Sequence, residues 1–140
     1  MKYVERLRKV KNIIGTDFSL YHDTPLALQI YNTYRNRCLD VLFQKFGFNV
    51  IPVARWGDES SYEWCFAGLP KNSTIAISSN GALRGHSKEF FLKGFAEMKT
   101  RLNPEKIIFI GTVPKELAAE ESILIFSAHQ FSTRVEKLTN

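Results

Sequence analysis

Short apolar runs alternate with longer amphipathic segments along the chain. Five runs are rich in Ile, Val and Phe, and each gives way to polar residues or glycine: Asn12–Gly15, Val50–Ala54, Thr74–Ser78, Lys106–Ile110 and Ser122–Phe126. Four of them are solid apolar blocks, which is typical of strands that are covered on both faces. Strands of this kind that alternate with helices predict an α/β fold with a mostly parallel, five-stranded sheet built from βα units.

Helical spacing separates these runs. After Thr24, a plausible N-cap, and Pro25, apolar residues recur every three or four positions as far as Gly47, which predicts a helix. The stripe expected to face the core is Ala27, Tyr31, Tyr34, Cys38 and Leu42. The polar residues Gln29, Asn36, Asp40 and Gln44 lie on another face of that helix.

Three shorter helices are predicted further along. Ser60 and Glu63 have capping-box spacing, and Ser87 is a plausible cap of a helix that ends at Asn103-Pro104. Pro114 opens a brief helix. Pro52, inside the second strand, predicts an edge position or a bulge because proline has no N–H to donate to a ladder.

The length of 140 residues fits one α/β domain over residues 1–140. We expect a three-layer open sheet. The alternative is a partial TIM-like barrel, since a complete barrel needs about 250 residues.

Charge, hydropathy and cysteine content limit the classes of protein that the sequence is compatible with. The net charge is +5, of which +4 lies in the basic N-terminal segment 1–11; a polar tail covers 127–140. No apolar run approaches the roughly 20 residues of a membrane helix, and there is no signal-peptide pattern, so we expect a cytoplasmic protein without a membrane partner. Cys38 and Cys65 have neither metal nor disulfide-framework spacing and are expected in the core.

Ligands of parallel α/β proteins bind beyond the carboxyl ends of the strands. The polar residues and glycines that follow the five runs are Asp17, Ser19, Tyr21, His22, Arg55, Trp56, Asp58, Ser78, Ser79, Asn80, Gly81, His86, Gly111, Thr112, Ser127 and His129. All three histidines of the chain are among them.

Several of these residues have two interpretations. Asp17 could be catalytic or bind a metal, or it could hydrogen-bond to amides of its own turn. Trp56 either packs a loop or stacks on a ligand. The segment from Ser78 to Gly81 could present N–H groups to a phosphate, although it lacks the P-loop and dinucleotide patterns.

The segments DFSLY, VIPVARWGD, FAGLP, NSTIAI and IGTVP together resemble an uncharacterised domain-of-unknown-function family of bacteria, phages and mobile elements. The resemblance runs from about Asn12 to Pro114 and implies an α/β, barrel-like protein with no established activity. The recurring polar positions of that family are here Asp17, Ser19, Asn32, Arg35, Trp56, Asp58 and Gly81. Members are usually longer, so the chain resembles an N-terminally shortened member.

Combining both lines of reasoning, we expect Asp17 and Asp58 to be catalytic. The expected ligand-binding residues are Ser19, Asn32, Arg35, Arg55, Trp56, Ser78, Gly81 and Gly111. The sequence identifies neither a metal site nor a cofactor.

Three functions are consistent with these features. The first is binding or acting on a nucleotide or nucleic acid, with Asp17 as acid, base or metal ligand, Arg55 on an anionic group and Trp56 on a base. The second is a non-catalytic module that binds a host or phage protein, or forms a homodimer through an exposed sheet edge. The third is DNA binding by the basic N-terminal segment.

Overall fold

The computed structural model describes Val10 and residues 12–126, in which strands and helices alternate. The strands are β1 (Asn12–Ile14), β2 (Asn49–Ile51), β3 (Thr74–Ser78), β4 (Lys106–Ile110) and β5 (Ile123–Phe126). The helices are α1 (Leu26–Lys45), α2 (Tyr62–Cys65) and α3 (Ser87–Leu102), with 3-10 turns at Glu59–Ser61 and Lys115–Leu117. The predicted α/β class with five parallel strands is confirmed.

The strands form two sheets rather than the single sheet expected. β1 pairs with β2, while β3, β4 and β5 form the second sheet. Pro52 ends the β2 ladder, and within residues 12–126 the strand pairing between the two sheets is limited to a bridge between Val53 and Ala76. The Pro52 carbonyl still accepts a hydrogen bond from the Ala76 amide at 3.0 Å, but its own nitrogen has no hydrogen to donate.

Neighbouring strands follow one another in chain order, without a reversal. Right-handed crossovers between such strands bring successive helices to the same face of the sheet. Barrels share this neighbour order, so the partial barrel stays an alternative description of the topology.

The main core lies between the three-stranded sheet and α3. Ile75, Ile77, Ile107 and Phe109 project from β3 and β4 toward apolar side chains of the helices, and all four are fully buried. On the other face, Val53, Ala76 and Ile108 form a smaller cluster. The alternation of these residues explains why β3 and β4 read as solid apolar blocks, since both of their faces are buried.

The predicted helix boundaries agree with the structure better than the predicted capping residues do. Pro25, not Thr24, is the N-cap of α1. Asp58, rather than Ser60, caps the 3-10 turn that precedes α2, and His86 precedes α3 without a side-chain cap from Ser87. At the C-terminus of α3, Asn103 adopts a left-handed conformation with φ of 45° and donates to the Lys99 carbonyl, which ends the helix.

The orientation predicted for α1 is wrong. All five residues of the expected core stripe are exposed, and the buried residues of the helix are instead Gln29, Asn36 and Asp40. Periodicity identifies an apolar stripe but does not say which face is covered. The polar face is buried here because it hydrogen-bonds to a neighbouring loop, as described below.

The two cysteines differ in exposure, again because the outer face of α1 is not covered. Cys65 is 1% exposed, as predicted, and burial raises the pKa of its thiol to about 12. Cys38 belongs to the outer face of α1 and is exposed, contrary to the prediction.

Apart from Val10, the basic segment 1–11 lies outside the described residues, as does the polar tail 127–140. Their predicted roles therefore stay predictions. No helix between residues 12 and 126 has the length and apolar character needed to cross a membrane.

Close packing of α3 against Trp56 gives a first prediction. A Cβ atom at Gly94 would lie 2.1 Å from Cδ1 of the Trp56 indole. We expect Gly94→Ala to lower the free energy of unfolding by about 1–3 kcal/mol, because overpacking outweighs the helix propensity of alanine. Urea unfolding measures the loss. Thr100→Ala, at an exposed position of α3, is the control, and equal stability of Gly94→Ala and the parent would contradict the packing.

Candidate functional site

The loop between β1 and α1 is held by a row of polar side chains along the inner face of α1. Asn36, which is 1% exposed, is its centre. Its Oδ1 accepts from the Phe18 amide at 2.9 Å and from the Thr16 hydroxyl at 3.1 Å, while its Nδ2 donates to the Phe18 carbonyl at 3.1 Å. The side chain of Asn36 therefore forms hydrogen bonds with the loop backbone that a neighbouring strand would otherwise form.

Three other side chains extend the contact in both directions. Asn32 donates to the Ser19 carbonyl at 3.0 Å, Gln29 donates to the Thr24 carbonyl at 2.7 Å, and Asp40 accepts from the Thr16 amide at 3.3 Å. We refer to Gln29, Asn32, Asn36 and Asp40 as the polar row. Their spacing of three and four residues places them on one side of the helix.

Asp40 is the charged member of the polar row. Burial raises the pKa of its carboxyl, and the Thr16 amide and the nearby Arg37 oppose this rise only in part. Its Oδ2 has no hydrogen-bond partner. A Cβ atom at Gly15 would lie 2.2 Å from Asp40 Oδ1, so the close approach of the loop to the helix requires glycine there.

Arg35 holds the same loop from the side. Its guanidinium carbon lies 3.5 Å from the centroid of the Phe18 ring, and its Nη1 donates to Asn32 Oδ1 at 3.3 Å. This cation–π contact uses the flat face of the guanidinium. Arg35 therefore contributes to the shape of the loop.

Asp17, carried by this loop, pairs with Arg55 at the end of the β2 segment. Both carboxylate oxygens accept from Arg55, through Nε and, at 2.5 Å, through Nη2. Nη1 of Arg55 donates to the Ser78 carbonyl at 2.9 Å. The pair is partly buried, with side-chain exposures of 12% for Arg55 and 34% for Asp17. It joins the ends of three strands, β1, β2 and β3.

A pocket of about 230 Å³ opens beside this ion pair, where the strand ends meet the N-terminus of α3. The apolar lining consists of Leu20, Ala54, Trp56, Phe90 and Phe91. The polar lining consists of Tyr21, His22, Asp23, Arg55, Ser78, Asn80 and Ser87, with Gly57, Gly81 and Ala82 completing the wall. The predicted position beyond the carboxyl ends of the strands therefore contains a real cavity.

The structure brings only part of the expected ligand-binding set to this pocket. Arg55, Trp56, Ser78 and Gly81 line it. Ser19, Asn32, Arg35 and Gly111 lie elsewhere; the first three belong to the contact between the loop and α1. Gly111, with φ of 102°, packs against the side chains of Ser79 and Asn80.

The two expected catalytic aspartates are both engaged by protein groups. Asp17 pairs with Arg55, and Asp58 Oδ1 accepts from the amide and hydroxyl of Ser60 at 3.0 and 2.6 Å. Neither lines the pocket. A catalytic role for them stays a prediction, and the contacts observed here are structural.

Trp56 is a core residue that contributes one edge to the pocket. It is 7% exposed and packs on Phe91 and Phe66, with ring centroids 5.4 and 6.0 Å apart. Its faces are therefore occupied by protein. The ring in the wall that remains half-buried is Phe90, against which His22 lies edge-on at 4.9 Å.

The backbone next to the pocket offers few free amides. The Asn80 amide donates to Ser78 Oγ, and the Ala82 amide to the Ser79 carbonyl. At the start of α3, the amides of Ser87, Lys88 and Glu89 donate to carbonyls of the preceding turn. A phosphate cradle of free N–H groups is thus not formed in this part of the chain.

Of the two histidines within residues 12–126, one lines the pocket. His22 lines the pocket, His86 precedes α3, and His129 lies outside the described residues. Within residues 12–126, no group of three His, Cys, Asp or Glu side chains is arranged to bind a metal ion.

Comparison with known proteins shows which family the chain belongs to. The model of the "Domain of unknown function (DUF4417)" family matches residues 1–128. The chain belongs to the DUF4417 family.

Two "Gene 1" proteins of mycobacteriophages are similar to it. The protein of Mycobacterium phage L5 is 34% identical over 111 residues, which are 79% of this chain and 48% of the phage protein. That of phage D29 is 32% identical over 111 residues, 79% of this chain and 41% of the phage protein. The chain thus spans about half the length of these relatives. No solved structure matches.

The loop after β1 contains or contacts several of the positions that the resemblance implied. Of those seven residues, four take part in the contacts that organise this loop: Asp17, Ser19, Asn32 and Arg35. Sequence reasoning missed Gln29, Asn36 and Asp40, which it assigned to a face away from the core. The signal was present as four polar residues at helical spacing opposite the apolar stripe.

A pH-dependent prediction follows from Asp40. Because its pKa is raised in the folded protein, the carboxyl favours folding below its ordinary value of about 3.9, and this contribution is lost as pH rises through the raised value. We expect Asp40→Asn to increase the melting temperature relative to the parent at pH 7, with a smaller difference at pH 4. Asp23→Asn, in the exposed part of the loop, controls for the change in charge. A difference that grows toward low pH would contradict the burial argument.

The Asp17–Arg55 pair gives a third prediction. Asp17→Asn leaves a guanidinium that is largely buried without its counter-charge, so we expect a loss of about 1–3 kcal/mol, between the values for exposed and buried pairs. Urea unfolding measures it. Glu59→Gln, which removes the exposed Glu59–Lys93 pair, is the control and should change stability far less. An equal effect of both substitutions would mean that the Asp17 pair is an ordinary surface contact.

Proposed function

We propose that the pocket at the strand ends binds a nucleobase, carried by a nucleoside, a nucleotide or a nucleic-acid end. The observation that supports this proposal is the composition of the lining, which combines aromatic side chains with side chains that form hydrogen bonds. A base presents the same combination, because its faces are apolar and its edge carries hydrogen-bond donors and acceptors.

The polar lining residues can recognise an edge of this kind. Asn80 carries an amide with both donors and acceptors, Ser87 a hydroxyl, and Asp23 a carboxylate acceptor. Phe90 and Phe91 provide apolar surface in the same lining. The combination favours a flat ligand with a patterned polar edge over a purely apolar ligand.

The size of the pocket limits the ligand. A volume of about 230 Å³ lies below the roughly 300–1,000 Å³ of sites for drug-sized molecules. It suits one ring system, with any sugar and phosphate outside the cavity. An oligonucleotide would contribute one base to the pocket and continue across the surface.

The electrostatics argue for base recognition rather than phosphate recognition. Arg55, the cation of the lining, is neutralised by Asp17, and its Nη1 is used by Ser78. The first amides of α3 are also bonded within the chain. We therefore assign Arg55 to shaping the pocket, which revises its expected contact with an anionic group.

A second candidate function is a non-catalytic protein-binding module. It is favoured by the exposed apolar residues on the outer face of α1. DNA binding through the basic N-terminal segment stays a prediction from sequence.

A thermal-shift screen with nucleosides, nucleotides and short oligonucleotides tests the pocket. A ligand at a hundred times its dissociation constant stabilises the folded protein by about 2.7 kcal/mol, which raises the melting temperature by several degrees. We expect a nucleoside and its monophosphate to produce similar shifts, since the phosphate lies outside.

Two phenylalanine variants localise the response. Ser87→Phe fills the mouth of the pocket and should abolish the shift. Lys88→Phe, at the adjacent position outside the lining, should retain it. A shift produced by inorganic phosphate alone, or one that survives in Ser87→Phe, would contradict the proposal.

A further inference from the structure

The outer face of α1 presents a continuous apolar stripe to solvent. We define the outer stripe as Ala27, Tyr31, Tyr34, Cys38 and Leu42. Tyr31 is 53% exposed, Tyr34 63% and Leu42 43%, and Cys38 and Ala27 are also exposed. None of the five carries a charge, and apart from the two tyrosine hydroxyls the stripe offers mainly apolar surface over about four turns of helix.

The stripe is not explained by the proposed ligand site. None of its residues lines the pocket, and the opposite face of α1, the polar row, holds the loop. The helix is thus inverted relative to an ordinary amphipathic helix of a globular protein, in which the apolar face is buried. An apolar surface of this kind indicates a partner.

We propose that the outer stripe of α1 packs antiparallel against the same stripe of a second copy of this chain. The argument rests on the order of large and small side chains. With the two-fold axis between Tyr34 and Arg35, Ala27 faces the partner's Leu42 and Tyr31 faces the partner's Cys38. Large residues then meet small ones at both ends, and the Tyr34 rings pack beside each other at the centre.

A parallel arrangement lacks this match. It would bring Tyr31 against the partner's Tyr31 and leave Ala27 against Ala27, with crowding at one level and a void at the other. The antiparallel arrangement also places opposite ends of the two helix dipoles side by side. The order of large and small side chains in the outer stripe is therefore complementary to the same order read in the opposite direction.

The available area sets the strength of the association. The five residues of the stripe with flanking Ile30 and Val41, 46% and 50% exposed, offer on the order of 600 Å² per partner, using about half the surface of each side chain. A standard interface buries about 800 Å² per partner. We expect a reversible dimer with a dissociation constant in the micromolar range.

Sedimentation equilibrium of the full chain, over a wide concentration range, tests the proposal with two variants of equal exposure. Tyr34→Asp places a charge at the centre of the stripe and should raise the dimer dissociation constant at least about 30-fold, as expected for an interface hot spot. Ile125→Asp changes an equally exposed residue, 62% against 63%, on the edge strand β5 and should leave it unchanged.

The outcomes separate the alternatives. A parent protein that stays monomeric at several hundred micromolar overturns the proposal, as does a dimer that Ile125→Asp disrupts and Tyr34→Asp does not, since the sheet edge would then be the interface. A parent that associates only with another protein through Tyr34 also overturns it. Melting temperatures measured at low concentration show that both variants are folded.

Chemical crosslinking tests the antiparallel register separately. The two Cys38 residues would be displaced along the helix axis by about 10 Å, so a bis-maleimide of that span should couple them at concentrations where the parent dimerises. Cys65 is buried and does not compete. Crosslinking that is equally efficient in Tyr34→Asp, or absent in a dimeric parent, would contradict the arrangement.

Discussion

Hydrogen bonding between the inner face of α1 and the loop after β1 is the interaction on which the rest of the structure depends. Beyond Gly15 this loop pairs with none of the strands within residues 12–126, and Asn36 and its neighbours in the polar row satisfy several of its backbone groups. Buried polar groups must find partners, and a partly satisfied set would be worse than an apolar contact. The arrangement therefore specifies one position of the loop relative to the helix.

This position determines the site. Once the loop is held, Asp17 reaches Arg55, which in turn reaches the Ser78 carbonyl. Tyr21, His22 and Asp23 of the same loop then form one side of the pocket. Asp17 neutralises Arg55, and the Asp23 carboxylate also lines the cavity, so the described lining offers hydrogen-bonding groups and aromatic surface but no free cluster of cations. That is the physical reason for favouring recognition of a base over recognition of a phosphate.

The same interaction accounts for the exposed side of α1. A helix has only one face for the body of the protein, and here its polar residues occupy that face. Its apolar residues are consequently directed to solvent, where their burial requires a partner. The order of small and large residues in the stripe complements its own reverse. Loop, pocket and outer stripe are thus three consequences of one choice of helix orientation.

The sequence by itself determined the elements and the location of the cavity: apolar blocks predicted five parallel strands, and the strand-end rule led to Arg55, Ser78 and Gly81. These features depend on local composition and on the geometry of parallel sheets. Only the tertiary structure decided which face of α1 is buried, that Asp17 pairs with Arg55, and that Trp56 belongs to the core. Periodicity describes a single helix, whereas burial is decided by hydrogen-bond partners distant in the chain.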